Sequence, residues 1–217
     1  MSFPRTNSSS LQCIHLFIAD LKFYKILTKK RSHKIARSVF PFLQNEGKLL
    51  DLGGGNMLTS ITLSELLPNL QIHGIDVIRD QNLPDRMPQN ITFSTYDGTA
   101  IPFESGTFDQ ALVCSTLHHT TDPEFFMKEL VRILKPGGIL VVVEEMYSNW
   151  VDLAWIAGLD WVLNKLKKDV PVPLNFRTYK QYDDTFKTLH LKKTAHTHVR
   201  PAIPWQRLEI YAFITPV

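Results

Sequence analysis

The chain has 217 residues, of which 44% are hydrophobic, and its 24 Lys and Arg against 21 Asp and Glu leave a net charge of +3. That length suits one domain able to bury a core without disulfides or metals, and so small a charge excess gives no argument for nucleic acid. Two widely separated cysteines, Cys13 and Cys114, form no ligand or redox spacing, no apolar run approaches a bilayer span, and no signal-peptide pattern opens the chain; the expectation is a soluble, unexported, cytoplasmic protein without stable membrane insertion.

Residues 1–10, rich in Ser, read as a loose tail. Residues 11–43 read as a helical cap, with Ile14, Ile18 and Leu21 on one face and Pro41 closing or kinking it. Within it Lys22, Lys25, Lys29, Lys30, Arg31, Lys34 and Arg37 form a run without an acid, either a solvated face or a contact for an anionic surface or substrate. A buried strand at 48–52 then enters the glycine turn of Lys48-Leu-Leu-Asp-Leu-Gly-Gly-Gly-Asn-Met57 and opens a helix over 57–68. Strands are predicted at 71–76, 91–96 and 108–114. Asp122-Pro123 supplies an N-cap and a first-turn proline for a helix whose apolar face is Phe126, Leu130, Ile133 and Leu134. Ile139-Leu-Val-Val-Val143 shows no polar alternation, as expected of a parallel strand covered on both faces. The rhythm breaks over 146–176, then resumes with a helix at 178–186 and strand-like runs near 189–199 and 207–214.

Glycines let a backbone turn sharply and approach a ligand, and the helix that follows offers free N–H groups. A glycine turn alone is weak evidence, but Asp76 closes the next apolar run, Leu70-Gln-Ile-His-Gly-Ile-Asp76, about 25 residues on, where a doubly wound fold sets an acid against ribose hydroxyls. With these two blocks stand Tyr96-Asp-Gly-Thr-Ala-Ile-Pro-Phe103 followed by Phe108-Asp109, and Leu134-Lys-Pro-Gly-Gly-Ile-Leu140. The four, in this order over roughly residues 45–145, resemble the class I S-adenosylmethionine-dependent methyltransferases of the small-molecule branch. The resemblance implies an α/β, Rossmann-like, mainly parallel seven-stranded sheet with an antiparallel closing strand, in a single domain spanning 1–217. It also implies S-adenosylmethionine as cofactor: Asp51, Gly53, Gly54 and Gly55 at its methionine end, Asp76 and Val77 at the ribose, Asp97 and Gly98 at the adenine edge, and Ser115 beside it. Where the family has a third glycine this chain has Met57, whose side chain threatens to crowd the ligand or the helix–strand contact. A nicotinamide dehydrogenase is disfavoured, because Asp97-Gly98 and Lys135-Pro-Gly-Gly138 fit the methyltransferase loops.

Methyl transfer from a sulfonium asks the protein for alignment, exclusion of water and, for some acceptors, removal of a proton. His118, His119 and Glu144 are the candidate bases, set against the plainer reading that a loop histidine pairs with backbone or packs under the next helix. Of Glu144 and Glu145, alternation sends one toward the site and the other toward solvent or a cap. Residues 146–176 are expected to form a lid, with Tyr147, Trp150 and Trp155 touching a small, partly apolar acceptor and Trp161 adding to the apolar surface; the competing reading packs these side chains on the core. His190, His196 and His198 share a strand face with Lys192, Thr194 and Arg200, a solvent-facing pattern without an acid, so no metal is expected. The alternative to a methyltransferase is a protein that binds S-adenosylmethionine or S-adenosylhomocysteine without transferring a methyl group.

Overall fold

The computed structural model describes residues 22–165, 174–200 and 206–217. Helix α1 (Lys22–Val39) leads through a 3-10 turn at Phe40–Phe42 into β1 (Lys48–Leu52), α2 (Leu58–Leu66), β2 (Gln71–Asp76), β3 (Ile91–Thr95) and β4 (Phe108–Cys114). Then follow α3 (Pro123–Ile133), β5 (Leu134–Glu144), β6 (Met146–Tyr147), α4 (Trp150–Lys165), β7 (Arg177–Thr178), α5 (Tyr179–Thr188), β8 (Lys192–Val199) and β9 (Leu208–Ile214).

Seven strands form one sheet in the order β3-β2-β1-β4-β5-β9-β8. The first five run parallel, and β9 lies antiparallel to both β5 and β8. The expected seven-stranded, mainly parallel sheet with an antiparallel closing strand is what the chain forms. Between β1 and β4 the strand order reverses, and the crevice outside the carboxyl ends of strands at such a point is where open α/β sheets bind ligands.

Side-chain alternation divides the core into two layers. Leu50, Leu52, Ala111, Val113, Leu140 and Val142 face α3 and α5, where Phe126, Leu130 and Phe186 wait. Leu49, Leu112, Val141 and Val143 face the opposite way, onto Ile35, Ala36 and Val39 of α1 and Leu63 of α2. Each such fully buried aliphatic side chain contributes about 1.5–3 kcal/mol relative to exposure. The basic helix α1 is therefore a packed layer of the domain on its apolar side.

Several boundaries moved for local reasons. Helix α2 starts at Leu58 because Met57 is left-handed, at φ +60°. Strand β5 begins at Leu134, ahead of the predicted 139, with a register shift against β4 between Phe108 and Gln110. Asp122 caps α3 as predicted, accepting from the Phe125 amide at 3.0 Å. At α5 a reciprocal capping box between Thr178 and Gln181 sets the start. Residues 11–21 of the predicted cap and 166–173 of the predicted lid lie outside the described residues. Among the described residues no helix is long and apolar enough to cross a membrane.

Candidate functional site

The three loop glycines are needed for three different reasons. Gly53, at φ +73°, takes Ile75 O as its amide acceptor at 2.8 Å, and a Cβ there would lie 2.2 Å from the Thr116 side chain. Gly54 has an ordinary φ, but a Cβ on it would meet the Met57 sulfur at 2.5 Å. Gly55, at φ +54°, has open space where a Cβ would stand and donates its amide to Asp76 Oδ2 at 2.9 Å. Only Gly55 leaves room for something other than the chain itself.

Met57 does not crowd that room. Its side chain is fully buried and turns into the layer beneath α2, with the sulfur over Gly74 of β2, where a Cβ would be 2.2 Å away. The left-handed backbone explains why a glycine is at home in this position; a Met there gives up about 1–2 kcal/mol of backbone energy and regains it by burial. The feared intrusion is a core contact, accommodated by Gly74.

Asp51 is buried in β1 and accepts from Ser60 Oγ at 2.6 Å. Burial pushes its carboxyl up to about 6, against the Ser60 bond and with help from the nearby Asp76 charge. Asp76 ends β2 and takes the Gly55 and Ile78 amides at 2.9 and 3.3 Å, yet burial still holds its carboxyl above the ordinary value. Exposed Val77 touches the next predicted residue pair, since a Cβ on Gly98, at φ +78°, would lie 2.9 Å from Val77 Cγ1. Asp97 is occupied by its own turn: its Oδ1 takes both the amide and the hydroxyl of Thr99, at 2.9 and 2.7 Å, which lowers its pKa. The ordinary Asp-Gly turn is therefore formed, and Gly98 and Val77 border the open side of Asp76.

Beyond β4 the chain turns at Ser115, at φ +50°. Glu144, fully buried at the end of β5, holds this turn with one oxygen on the Thr116 and Leu117 amides, both at 2.7 Å, and the other on His118 Nδ1 at 2.7 Å. A general base needs a lone pair facing the acceptor. Glu144 commits three of its four acceptor sites to the loop, an arrangement that suits positioning of the turn. His118 is 2% exposed and stacks on Phe176 at 4.4 Å, with His119 tilted against it at 4.2 Å. The pairing and packing alternative thus describes His118. Asn175 ties the far end of the 146–176 segment to the same loop, donating to His118 O and Thr120 O at 2.9 and 2.7 Å.

Glu145 takes the opposite face. It is buried without an ion pair among the described residues, bonded to Gln206 Nε2 at 2.5 Å, and burial raises its pKa. On that face Arg31 of α1 reaches over the sheet and donates from Nη2 to Ser115 Oγ at 3.0 Å. Sequence reasoning missed Arg31, one cation among seven; its contact spans 84 residues and has no local signature.

Helix α4 is apolar nearly all round, yet Trp150, Trp155 and Trp161 are 77, 52 and 46% exposed. None is among the buried residues of either core layer. Tyr147 is half-buried in β6, paired in parallel with β7, so the segment leaves and returns side by side at the ligand edge of the sheet. His196 bonds Glu209 at 2.8 Å across the β8–β9 ladder and stacks on Tyr211, a partner invisible in its own strand.

Residues 50–142 match the model of the family described as methyltransferase domain. A ubiquinone/menaquinone biosynthesis C-methyltransferase UbiE of Cellvibrio japonicus is 30% identical over 105 residues, 45% of this chain and 42% of that protein. A demethylmenaquinone methyltransferase of Lactococcus lactis is 34% identical over 108 residues, 46% of this chain and 43% of that protein. The chain thus spans under half the length of these curated relatives. The solved Burkholderia thailandensis 1,6-didemethyltoxoflavin-N1-methyltransferase, with bound 1,6-didemethyltoxoflavin and S-adenosylhomocysteine, superposes with a TM-score of 0.67 at 12% identity, covering 100% of this chain and 94% of that one. At that identity the likeness concerns the fold alone, the Rossmann-like α/β sheet described above.

Proposed function

From a methyltransferase-domain segment at 50–142, we propose that the protein is an S-adenosylmethionine-dependent methyltransferase acting on a small, partly apolar acceptor. The observation that carries the reading is the pairing of Gly55 with Asp76 at the switch point, with open space on Gly55 and a half-buried carboxylate beside it. These residues fit an adenosyl ligand. Asp76 is a charged acceptor for two ribose hydroxyls, and Val77 and Gly98 flank the base. Asp51 and the Gly53–Thr116 contact wall the amino-acid end. When bound, S-adenosylmethionine supplies an electrophilic methyl on a sulfonium and departs as a neutral thioether.

The chain's own residues then align and enclose. Glu144 and His118 hold the turn after β4 so that Ser115 borders the ligand. Helix α4 closes on the acceptor side with its tryptophans, which match an apolar or aromatic acceptor such as the quinones on which the curated relatives act. The small net charge supports a small molecule over nucleic acid, and the free, half-buried Cys114 supports a reducing cytoplasmic compartment. The alternative of binding without transfer loses one support, since Met57 lies in the core.

The test is S-adenosylhomocysteine production from S-adenosylmethionine with a panel of demethylated quinols and heteroaromatic amines. Turnover with any member, and a raised KM for that acceptor in Trp155→Ala at unchanged cofactor affinity, is the expected result. Calorimetric absence of S-adenosylmethionine binding withdraws the proposal.

A further inference from the structure

We infer that the outward face of α4, together with the first half of α1, is a peripheral docking surface for an anionic lipid bilayer. At about 100° per residue, the exposed positions of α4 other than Asp152 gather on one side of the helix: Trp150, Val151, Ala154, Trp155, Gly158 and Trp161. The half-buried Leu153, Ile156 and Ala157 take the other side. A solvated helix face ordinarily carries charged or polar residues; this one offers indole N–H groups as its only polar side-chain atoms. Asp152 lies at its margin and is engaged in the helix start, accepting from Asn149 Nδ2 at 3.0 Å and from the Ser148 amide at 3.3 Å. Tryptophans gather where one end of a side chain is apolar and the other wet, which is the setting of a membrane interface. Among the described residues no helix is long and apolar enough to cross a bilayer, so the contact is one of lying on its surface.

Charge selects the sign of the lipid. Helix α1 runs from the carboxyl edge of the sheet toward the amino end of β1, since Val39 leads through Phe42 to Lys48 while Arg31 reaches Ser115 beyond β4. Its first half therefore stands at the edge from which α4 also departs, after β5 and β6. There Ile26 is 53% exposed, with exposed Lys29 and Lys30 one turn on, and exposed Lys34 and Arg37 continue the same acid-free face. An apolar side chain flanked by lysines is the composition of helices that lie in an anionic headgroup layer. Lys165 closes α4, and Lys167 and Lys168 follow it in the sequence. A second copy of the chain would set these cations against their own like, and a protein partner needs hydrogen bonds that the outward face of α4 does not supply. The tryptophans proposed above to meet the acceptor are thereby set against the phase in which apolar molecules concentrate; that use rests on the methyltransferase reading, and the docking does not.

The experiment is flotation of the full chain with vesicles of phosphatidylcholine alone and of phosphatidylcholine mixed with phosphatidylglycerol, at low and high salt, with the melting temperature of every variant measured alongside. The parent should float with the mixed vesicles and be released by salt. Trp150→Ser combined with Trp161→Ser should weaken that binding about tenfold or more, the scale of withdrawing large apolar side chains from lipid, at an unchanged melting temperature. Lys29→Gln combined with Lys30→Gln should weaken it about fivefold for each charge removed, and only for the mixed vesicles. A parent that floats with neither vesicle overturns the docking, whether or not it binds S-adenosylmethionine. Equal flotation with both vesicles overturns the assignment to anionic lipid. Flotation unchanged in either double variant sinks the inference too, as does a concentration-dependent dimer that the tryptophan variant abolishes without any vesicle binding, which would make α4 an interface between copies. Should the tryptophan variant melt early, the lysine variant and the salt dependence decide.

Discussion

The two ends of the sheet treat their carboxylates in opposite ways. At the N-terminal end of β4, burial pushes Asp109 up, but Lys135 at 2.6 Å and the Lys48 amide at 2.8 Å outweigh it and hold its carboxyl below the ordinary value. Nearby, Arg132 bonds Glu129 at 2.7 Å and lowers it likewise, while Arg132 also binds Ile101 O and Phe103 O. At the carboxyl end, Asp51, Asp76 and Glu145 are all pushed up by burial, and none has an ion pair among the described residues. Acids that fasten the chain to itself come with cations. Acids at the proposed ligand site are left with hydrogen bonds alone, so burial disfavours their charged form. Glu144 is the exception at this end, engaged by two amides and His118, and it is the one we propose for positioning.

The largest test of that division is Glu144→Ala. It strands two amides and a buried histidine, so a loss of about 3–5 kcal/mol in unfolding free energy is expected, the scale for breaking a buried charged network. Glu144→Gln keeps an acceptor for the amides and should retain most of the stability. Denaturant unfolding reads both, and a near-neutral Glu144→Ala would return Glu144 to the list of free bases.

Next comes pH. Asp51 is harder to ionise in the folded chain, about 6 against an ordinary 3.8, so the folded state holds the extra proton between those values. Stability from this group is therefore greatest below the ordinary value and falls as pH rises toward about 6, by on the order of 2–3 kcal/mol. Asp76 and Glu145 add slope of the same sign. Asp51→Asn, which can still accept from Ser60, should flatten part of the decline in urea midpoints measured from pH 4 to 8. A slope unchanged by the substitution would mean that Asp51 ionises normally.

Asp76→Ala should then cost about 1–3 kcal/mol of S-adenosylmethionine affinity, the worth of a charged acceptor for ribose hydroxyls. Calorimetry with a folded variant decides it, and equal affinity would remove Asp76 from the ribose. At the other end of the sheet Lys135→Met should cost under about 1 kcal/mol of stability, since the pair with Asp109 is partly solvated, and it should not touch ligand affinity. A loss of binding in that variant would break the contrast between the two ends.

Local pattern settled a good deal of this protein. The apolar runs, the glycine turn after β1, the acid at the end of β2 and the Asp122 cap depend on residues close in sequence, and each formed within a few positions of its expected place. The alternation that splits Leu140 and Val142 from Val141 and Val143 follows from strand geometry alone. What the tertiary structure decided are contacts between distant segments. Met57 found its space in Gly74 of a neighbouring strand, so a residue that looked like an intruder became core. Glu144 was drawn to amides 27 and 28 residues earlier, which gave a candidate base contacts that clamp the loop. Arg31 met Ser115 only because α1 packs across the sheet through Ile35, Ala36 and Val39. Propensity and periodicity act over a turn or a strand, whereas the partner of a buried charge is chosen by how whole layers stack.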